Sequence, residues 1–320
     1  MRNTFMDWFG LTAPILQAPI GGSDTVELAA EVGRGGGMGS LAMTWDERSD
    51  GLARVAALNR YGTPYFLNFV LCFGADRLQW YKSSGVKAVT LSWGIDPLAI
   101  AALRSSGIRV GVQVGSSGGA AQAIAAGADF IIAQGIEAGG HVQSSTPLRT
   151  LLRDVLAVAG NTPVVAAGGI SSATDIAGAI KAGAQAVMMG TRFVASDEAS
   201  AHAVYKAALV AARSEDTVYT NCFDGGWPFA MHRVLRNSTL NAWENAGCPA
   251  APNRPGEGEV VMQSVIATVL RYSFDQPSKD LDGDAAAGCL YAGTGVDAIT
   301  SIMPAREIVT TLWAEARAHL

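Results

Sequence analysis

Charge is scarce in this chain. Asp, Glu, Lys and Arg make up 16% of its 320 residues, with 23 basic against 28 acidic side chains and a formal net charge of −5. That balance provides no basic field for a polyanion, which excludes nucleic acid as the main partner. Long apolar runs are missing too. Gly, Asp, Gln or Lys breaks each hydrophobic stretch before the ~20 residues that a spanning helix needs, so no membrane insertion is expected. The N-terminal stretch carries Arg2 and Asp7 and has no apolar segment of signal-peptide length. Only Cys72, Cys222, Cys248 and Cys289 are present, with no CxxC and no Cys/His metal spacing. The expectation is a cytoplasmic protein with reduced thiols and no metal. No GxGxxG follows the first apolar run and no Walker pattern occurs, so the common nucleotide fingerprints are absent.

Glycine is abundant, at 37 residues, without a collagen period or a Gly/Ser linker. Most glycines follow short apolar runs, where they mark turns. Strands are expected over 15–18, 37–41, 65–70, 88–92, 109–114, 130–133, 164–167 and 186–189. They recur about every 20 to 35 residues, the length of one strand, one helix and two loops. Amphipathic Ala-rich segments at 25–32, 46–60, 97–105, 118–126, 146–159 and 172–182 read as the intervening helices. Ser171 or Ser172 can cap the helix after the seventh strand. Ala126-Gly127-Ala128-Asp129 and Ala182-Gly183-Ala184-Gln185 each offer a glycine to end a helix in the left-handed conformation. Phe130-Ile131-Ile132-Ala133 suits a parallel strand buried on both faces. Eight such units predict an α/β protein with a closed (β/α)8 barrel; an open doubly wound sheet is the alternative that periodicity alone leaves standing.

Beyond the eighth strand the pattern changes. A helix is expected over 198–213, then a segment rich in Trp, Pro, Asn and Arg over 219–255. Further helices are expected over 260–271 and 306–318, separated by a polar Gly/Asp stretch at 279–288. The chain therefore divides into a barrel (1–213), a small helical and loop-rich lid inserted after the eighth strand (214–300) and a terminal helix that returns to the barrel (301–320).

Two glycine turns stand out. Val164-Val165-Ala166-Ala167 runs into Gly168-Gly169, and Ala186-Val187-Met188-Met189 runs into Gly190-Thr191. In a barrel these loops are neighbours on the C-terminal face, a usual seat for phosphate. Gly168, Gly169 and Gly190 let backbone N–H groups approach an anion, a helix N-terminus adds positive potential, and Thr191 adds a hydroxyl.

The sixth strand ends in Gln134-Gly135-Ile136-Glu137-Ala138-Gly139-Gly140-His141. Of the four histidines only His141 follows a barrel strand on the catalytic face, where an imidazole can move a proton or donate a hydrogen bond. A loop histidine satisfied by backbone is the plainer alternative. His202 lies on an Ala-rich helix, His232 in the lid and His319 near the last residue. Glu137 can be a second acid/base or a cap. Asn68 and Gln113 are amides among apolar strand neighbours, so burial demands partners: a ligand's polar edge or the barrel backbone. Ala18-Pro19-Ile20-Gly21-Gly22 sets small, rigid backbone against a flat ligand.

These segments together resemble the nitronate monooxygenase family, formerly 2-nitropropane dioxygenases, FMN-dependent TIM-barrel enzymes. The match runs through residues 17–22, Asn68, residues 134–141, Ala166-Ala167-Gly168-Gly169-Ile170 and Met189-Gly190-Thr191-Arg192-Phe193, and on to Ala292-Gly293 and residues 304–309. The resemblance implies FMN with its phosphate on Gly168, Gly169, Gly190 and Thr191. Its ring would lie near Ala18, Pro19 and Ile20, with Asn68, Gln113, Gln134 and Gly139 at its polar groups. His141 is the implied catalytic residue. The implied reaction oxidises an alkyl nitronate of the propionate 3-nitronate kind with O2, giving a carbonyl compound and nitrite. The resemblance leaves a homo-oligomer open. The chain departs from many members in Val142-Gln143-Ser144, where Arg-Gly is common, and in Met188, where some carry Gln.

Three alternatives remain at this level. An NAD(P)H-dependent flavin reductase, of enoyl-acyl-carrier-protein or quinone type, shares the histidine loop. A nucleotide dehydrogenase of the inosine monophosphate type shares the phosphate loops but needs a nucleophilic cysteine on the catalytic face. A metabolite-sensing barrel without turnover is the non-enzyme reading.

Overall fold

The apolar runs form the strands and the amphipathic runs the helices around them. The computed structural model describes residues 3–320; residues 1 and 2, where the expected barrel segment starts, lie outside the described residues. The barrel strands are β1 (Ile15–Gln17), β2 (Gly39–Ala42), β3 (Tyr65–Val70), β4 (Ala88–Ser92), β5 (Arg109–Val114) and β6 (Phe130–Gln134). After a two-residue strand, β7 (Gly140–His141), come β8 (Val164–Ala167) and β9 (Ala186–Met189). Eight parallel strands pair in the order β1-β9-β8-β6-β5-β4-β3-β2. A parallel bridge from Leu16 to Met38 then joins the two ends. The buried Gln17 side chain spans the same seam, donating to Ser40 O at 3.2 Å and accepting from Ser40 N at 3.1 Å. The sheet closes into a barrel, and the open alternative falls.

The helices follow as α1 (Thr4–Phe9), α2 (Val26–Arg34), α3 (Arg48–Asn59), α4 (Pro97–Ser105), α5 (Ser117–Ala125), α6 (Leu148–Ala159), α7 (Ala173–Lys181), α8 (Thr191–Val194), α9 (Ala203–Ala211), α10 (Ser238–Asn245) and α11 (Ala305–Ala318). Between β3 and β4 the chain makes only 3-10 turns, at Leu71–Phe73 and Asp76–Tyr81. Ser172 caps α7 reciprocally with Asp175. Gly127 and Gly183 take the expected left-handed φ values of +95° and +109°.

Alternation along each strand sorts the side chains. Leu67, Phe69, Val110, Val112, Ile131 and Ala133 pack outward against helices. Phe66, Phe130, Ile132, Val165 and Ala186 fill the lower barrel interior. Gly111 makes room there, since a Cβ at that position would overlap the Phe130 ring. The same alternation turns Asn68, Gln113 and Gln134 inward at the upper rim. Below, α1 plugs the barrel, with Phe5 edge-on to Phe130 at 5.1 Å between centroids.

Past β9, β10 (Thr217–Thr220) and β11 (His232–Leu235) form an antiparallel sheet that takes in β7. A second antiparallel sheet comprises β12 (Val260–Gln263), β13 (Thr268–Leu270) and β14 (Asp282–Gly283). Here the helix expected over 260–271 is corrected to a β-hairpin. Val260, Val261, Thr268 and Val269 are β-branched, stiff at χ1 and suited to a pleated surface; the apolar run was too short for its period to decide. α11 packs back against α2 and α7, completing the wall. No helix among the described residues is long and apolar enough to cross a membrane.

Candidate active site

The upper rim of the barrel and the lid enclose one large cavity of about 780 Å³. Its floor comes from the inward-facing ends of β3, β5, β6, β8 and β9: Asn68, Gln113, Gln134, Ala167 and Met188. Asn68 donates its amide hydrogens to Thr90 Oγ1 at 3.0 Å and Thr90 O at 3.3 Å, so its carbonyl oxygen stays available. Gln113 donates to Gln143 Oε1 at 2.9 Å. Gln134 accepts from the Gln143 N–H at 3.0 Å and donates to His141 O at 3.2 Å. Both ends of the Gln134 amide therefore hold the histidine loop in place.

The residues expected at the cofactor and the reacting group also line this cavity: Ala18, Pro19, Ile20, Gly139, His141, Gly168, Gly169, Gly190 and Thr191. Glu137, His202, His232 and His319 do not. Gly168 and Gly169 have φ of +111° and +68°, a region that favours glycine. A Cβ on Gly169 would sit 2.9 Å from Glu137 Cβ, so the turns after β6 and β8 interlock only with glycine there. Gly190 lines the cavity, and a Cβ there would make only ordinary contacts, with Ala18 Cβ at 3.5 Å and Ile20 Cγ2 at 3.7 Å. Thr191 Oγ1 accepts from Gly293 N–H at 3.0 Å, which leaves its own proton to donate. The start of α7 contributes less than expected. Asp175 already accepts from the N–H groups of Ser171 and Ser172, at 3.1 and 2.9 Å, and lays a carboxylate on that terminus.

His141 stands at the seam of barrel and lid, because β7 pairs with β11 in the register His141 to His232. Trp227 stacks on its ring, with centroids 4.1 Å apart and 31° between planes. Tyr291 and His232 follow at 5.5 and 5.4 Å. Burial, with His232 adding a little, holds the imidazole pKa down to about 3, so it is neutral at physiological pH. Its Nε2 has no hydrogen-bond partner. A buried polar atom without a partner, on the wall of a cavity, points to a ligand.

The remaining titratable candidates have structural work. His232 Nε2 accepts from Phe223 N–H at 3.2 Å, which puts the proton on Nδ1, donated to Ala230 O at 3.0 Å. Burial also lowers its pKa, to about 4. His202 caps α9 by accepting from Val204 N–H at 3.1 Å. Glu137 accepts from Leu148 N–H at 2.8 and 3.0 Å, supplying the start of α6 with a cap that Pro147 cannot give. Of the readings open for Glu137, the cap is the one its geometry fits.

Sequence reasoning missed the aromatic wall of Trp45, Trp93, Trp227, Phe274 and Tyr291. One signal was present: Trp93 directly follows β4 on the catalytic face. It sits at φ +56°, strained for a bulky residue.

Fold and site together define a (β/α)8 enzyme with its ligand cavity at the strand C-termini and one unpaired neutral histidine above it. Comparison with known proteins then fixes the family. The nitronate monooxygenase family model matches residues 67–315. A nitronate monooxygenase of Pseudomonas aeruginosa is 32% identical over 99% of this chain and 100% of its own length. A hydroxy-methyl-oxo-octahydroindene-carboxyl-CoA dehydrogenase of Mycobacterium tuberculosis is 28% identical over 100% of this chain and 97% of its own. The structure of a nitroalkane oxidase from Streptomyces ansochromogenes superposes with a TM-score of 0.81 at 29% identity, covering 98% of each chain. The chain belongs to the nitronate monooxygenase family, a family of oxidoreductases.

Proposed function

We propose that this protein binds FMN in the barrel cavity and oxidises alkyl nitronates with O2, giving a carbonyl compound and nitrite. The donor set suits the cofactor. The cavity-lining backbone at Gly190, the turn at Gly168 and Gly169 and the Thr191 hydroxyl would take the phosphate. Ala18, Pro19, Ile20 and Gly139 would flank the ring, with Asn68, Gln113 and Gln134 at its polar groups. Bound there, FMN supplies the electron acceptor and the reactivity toward O2.

His141 carries the reading. The residue lines the ligand cavity and its Nε2 is buried without a partner, so it is the side chain that would contact the nitronate. A base with a pKa near 3 is a poor acceptor for a carbon-bound proton at neutral pH, where an effective base titrates close to the working pH. The substrate is therefore the preformed nitronate rather than the neutral nitroalkane.

The second reading is an NAD(P)H-dependent flavin reductase on the same scaffold; likeness to the M. tuberculosis dehydrogenase keeps redox chemistry other than nitronate oxidation in view. Against it, the glycine-lined phosphate seat would be taken up by FMN, and no Lys or Arg among the described residues lines the cavity to hold the further phosphates of a dinucleotide or CoA. An anaerobic absorbance titration of the flavin-loaded protein with ethyl nitronate separates the two. Bleaching that reverses in air is expected; a flavin indifferent to nitronate and bleached by NADPH would hand the site to the reductase.

A further inference from the structure

The charged groups on the cavity wall are few and of one sign. Among the described residues they are Asp275 and Asp280, and no Lys or Arg joins them. Nearby cations are committed elsewhere. Arg233 donates to Ile136 O at 3.1 and 3.2 Å, and Arg254 is tied to Asp224 and Glu257. Lys279 lies between the lining residues Ser278 and Asp280 but is exposed and forms no part of the wall.

The surface next to His141 is instead aromatic. Trp227 stacks on the imidazole, and Trp93 stands edge-on to Trp227 at 4.8 Å. Phe274 bridges inward to His141 and outward to Trp45, 6.1 Å from each. Phe274 has room because residue 226 is glycine, where a Cβ would overlap its ring. The Tyr291 hydroxyl donates to Phe274 O at 2.8 Å, so the polar tip of this wall is already spent. From here the hairpin continues the apolar path outward through Val269 and Leu281 to Ile266, which is 95% exposed at the cavity lip.

We propose that the substrate's substituent is a bulky apolar group seated in this aromatic box, and that nitronates bearing a second anion are rejected. The proposal deepens the nitronate reading of the site and rests on it. A carboxylate carried into the box would lose its water against rings and aliphatic side chains and meet no cation, since the charges on the wall among the described residues are two exposed aspartates. An apolar substituent of the same shape loses nothing by leaving water and fills the box. Propionate 3-nitronate, the kind of substrate expected from sequence, is on this argument a poor one.

Binding and turnover test the two claims separately. The flavin-loaded protein is titrated with 3-nitropropionate and with 1-nitro-3-methylbutane, which replaces the carboxylate by isopropyl; quenching of tryptophan fluorescence reports binding. The apolar compound is expected to bind at least 30-fold more tightly, and equal or reversed affinities would overturn the proposal. The two corresponding nitronates are then assayed in air, with kcat/KM expected to favour the apolar one at least 30-fold. Turnover in which propionate 3-nitronate equals or beats its isostere overturns the substituent preference and leaves nitronate oxidation intact. Apolar-selective binding with no turnover of either nitronate supports the preference and defeats nitronate oxidation.

Discussion

Barrel and lid build opposite halves of one cavity from opposite chemistry. The barrel offers glycine backbone, a hydroxyl and three carboxamides on a rigid parallel sheet. The lid and the loops facing it offer tryptophan, phenylalanine, tyrosine and an exposed isoleucine, on short antiparallel pieces. The first half suits a flat polar cofactor with a phosphate, the second an apolar group. His141 sits where β7 of the barrel loop pairs with β11 of the lid. On the proposed reading the contrast is a division of labour: the barrel would fix the chemistry and the lid would select what undergoes it.

The largest effect should come from the barrel half. Gly168→Val places a β-branched residue at φ +111° with its Cβ 3.0 Å from Gly135 O. We expect less than one-tenth of the wild-type FMN after gel filtration, with activity lost in proportion. Full flavin retention would remove this turn from the phosphate site. Next comes the seam. His141→Asn should keep its FMN while turnover falls by ~10²-fold or more, the usual worth of a positioned proton-transfer or hydrogen-bonding group. Unchanged turnover would strip His141 of its role.

Legibility in the sequence divides along the same line. Each barrel strand repeats one local rule, apolar residues bounded by glycine or an N-cap, so most of its strand ends were readable to within a residue. The rim residues followed from alternation: once Phe66 points inward, so does Asn68. The lid repeats nothing. Of residues 260–271 eight are apolar, a mixture in which helix and strand periods both fit, and it is the pairing of β12 with β13, with β14 added on the other side of β12, that makes them strands. The aromatic wall was unreadable for a different reason. Trp45, Trp227 and Phe274 come from loops far apart in sequence, and their meeting depends on the closed barrel bringing the loops to one end.

A weaker effect tests the two histidines at the seam. His232 is fully buried, and both imidazoles are held neutral, with pKa near 4 and near 3 against 6.5 when unfolded. The unfolded chain therefore binds more protons below pH 6.5. Stability contributed by neutrality is complete above that pH and is lost as pH falls, until the folded pKa is reached. Each histidine contributes a slope of up to about 1.4 kcal/mol per pH unit. Urea midpoints measured from pH 7 to pH 4.5 should fall accordingly, and His141→Asn should shed about half of the slope. A slope that the substitution leaves unchanged would show that His141 is solvated, and would break the claim that burial at the seam holds it neutral.

The smallest effect separates a cap from a catalyst. Glu137 lies four residues before His141 in the barrel's own loop, where a second carboxyl acid/base would be convenient. Its two oxygens instead accept from Leu148 N–H, on the first turn of a helix whose N-cap is proline. Glu137→Gln keeps a carbonyl acceptor for that N–H and surrenders the charge at the helix start and its attraction to Arg233, the first worth about 0.3–1 kcal/mol. Stability should drop by at least that amount while kcat stays within twofold. A hundredfold loss of kcat at unchanged stability would instead make Glu137 a proton donor or acceptor. The barrel would then supply both the cofactor seat and the acid/base chemistry, leaving the seam with none of it.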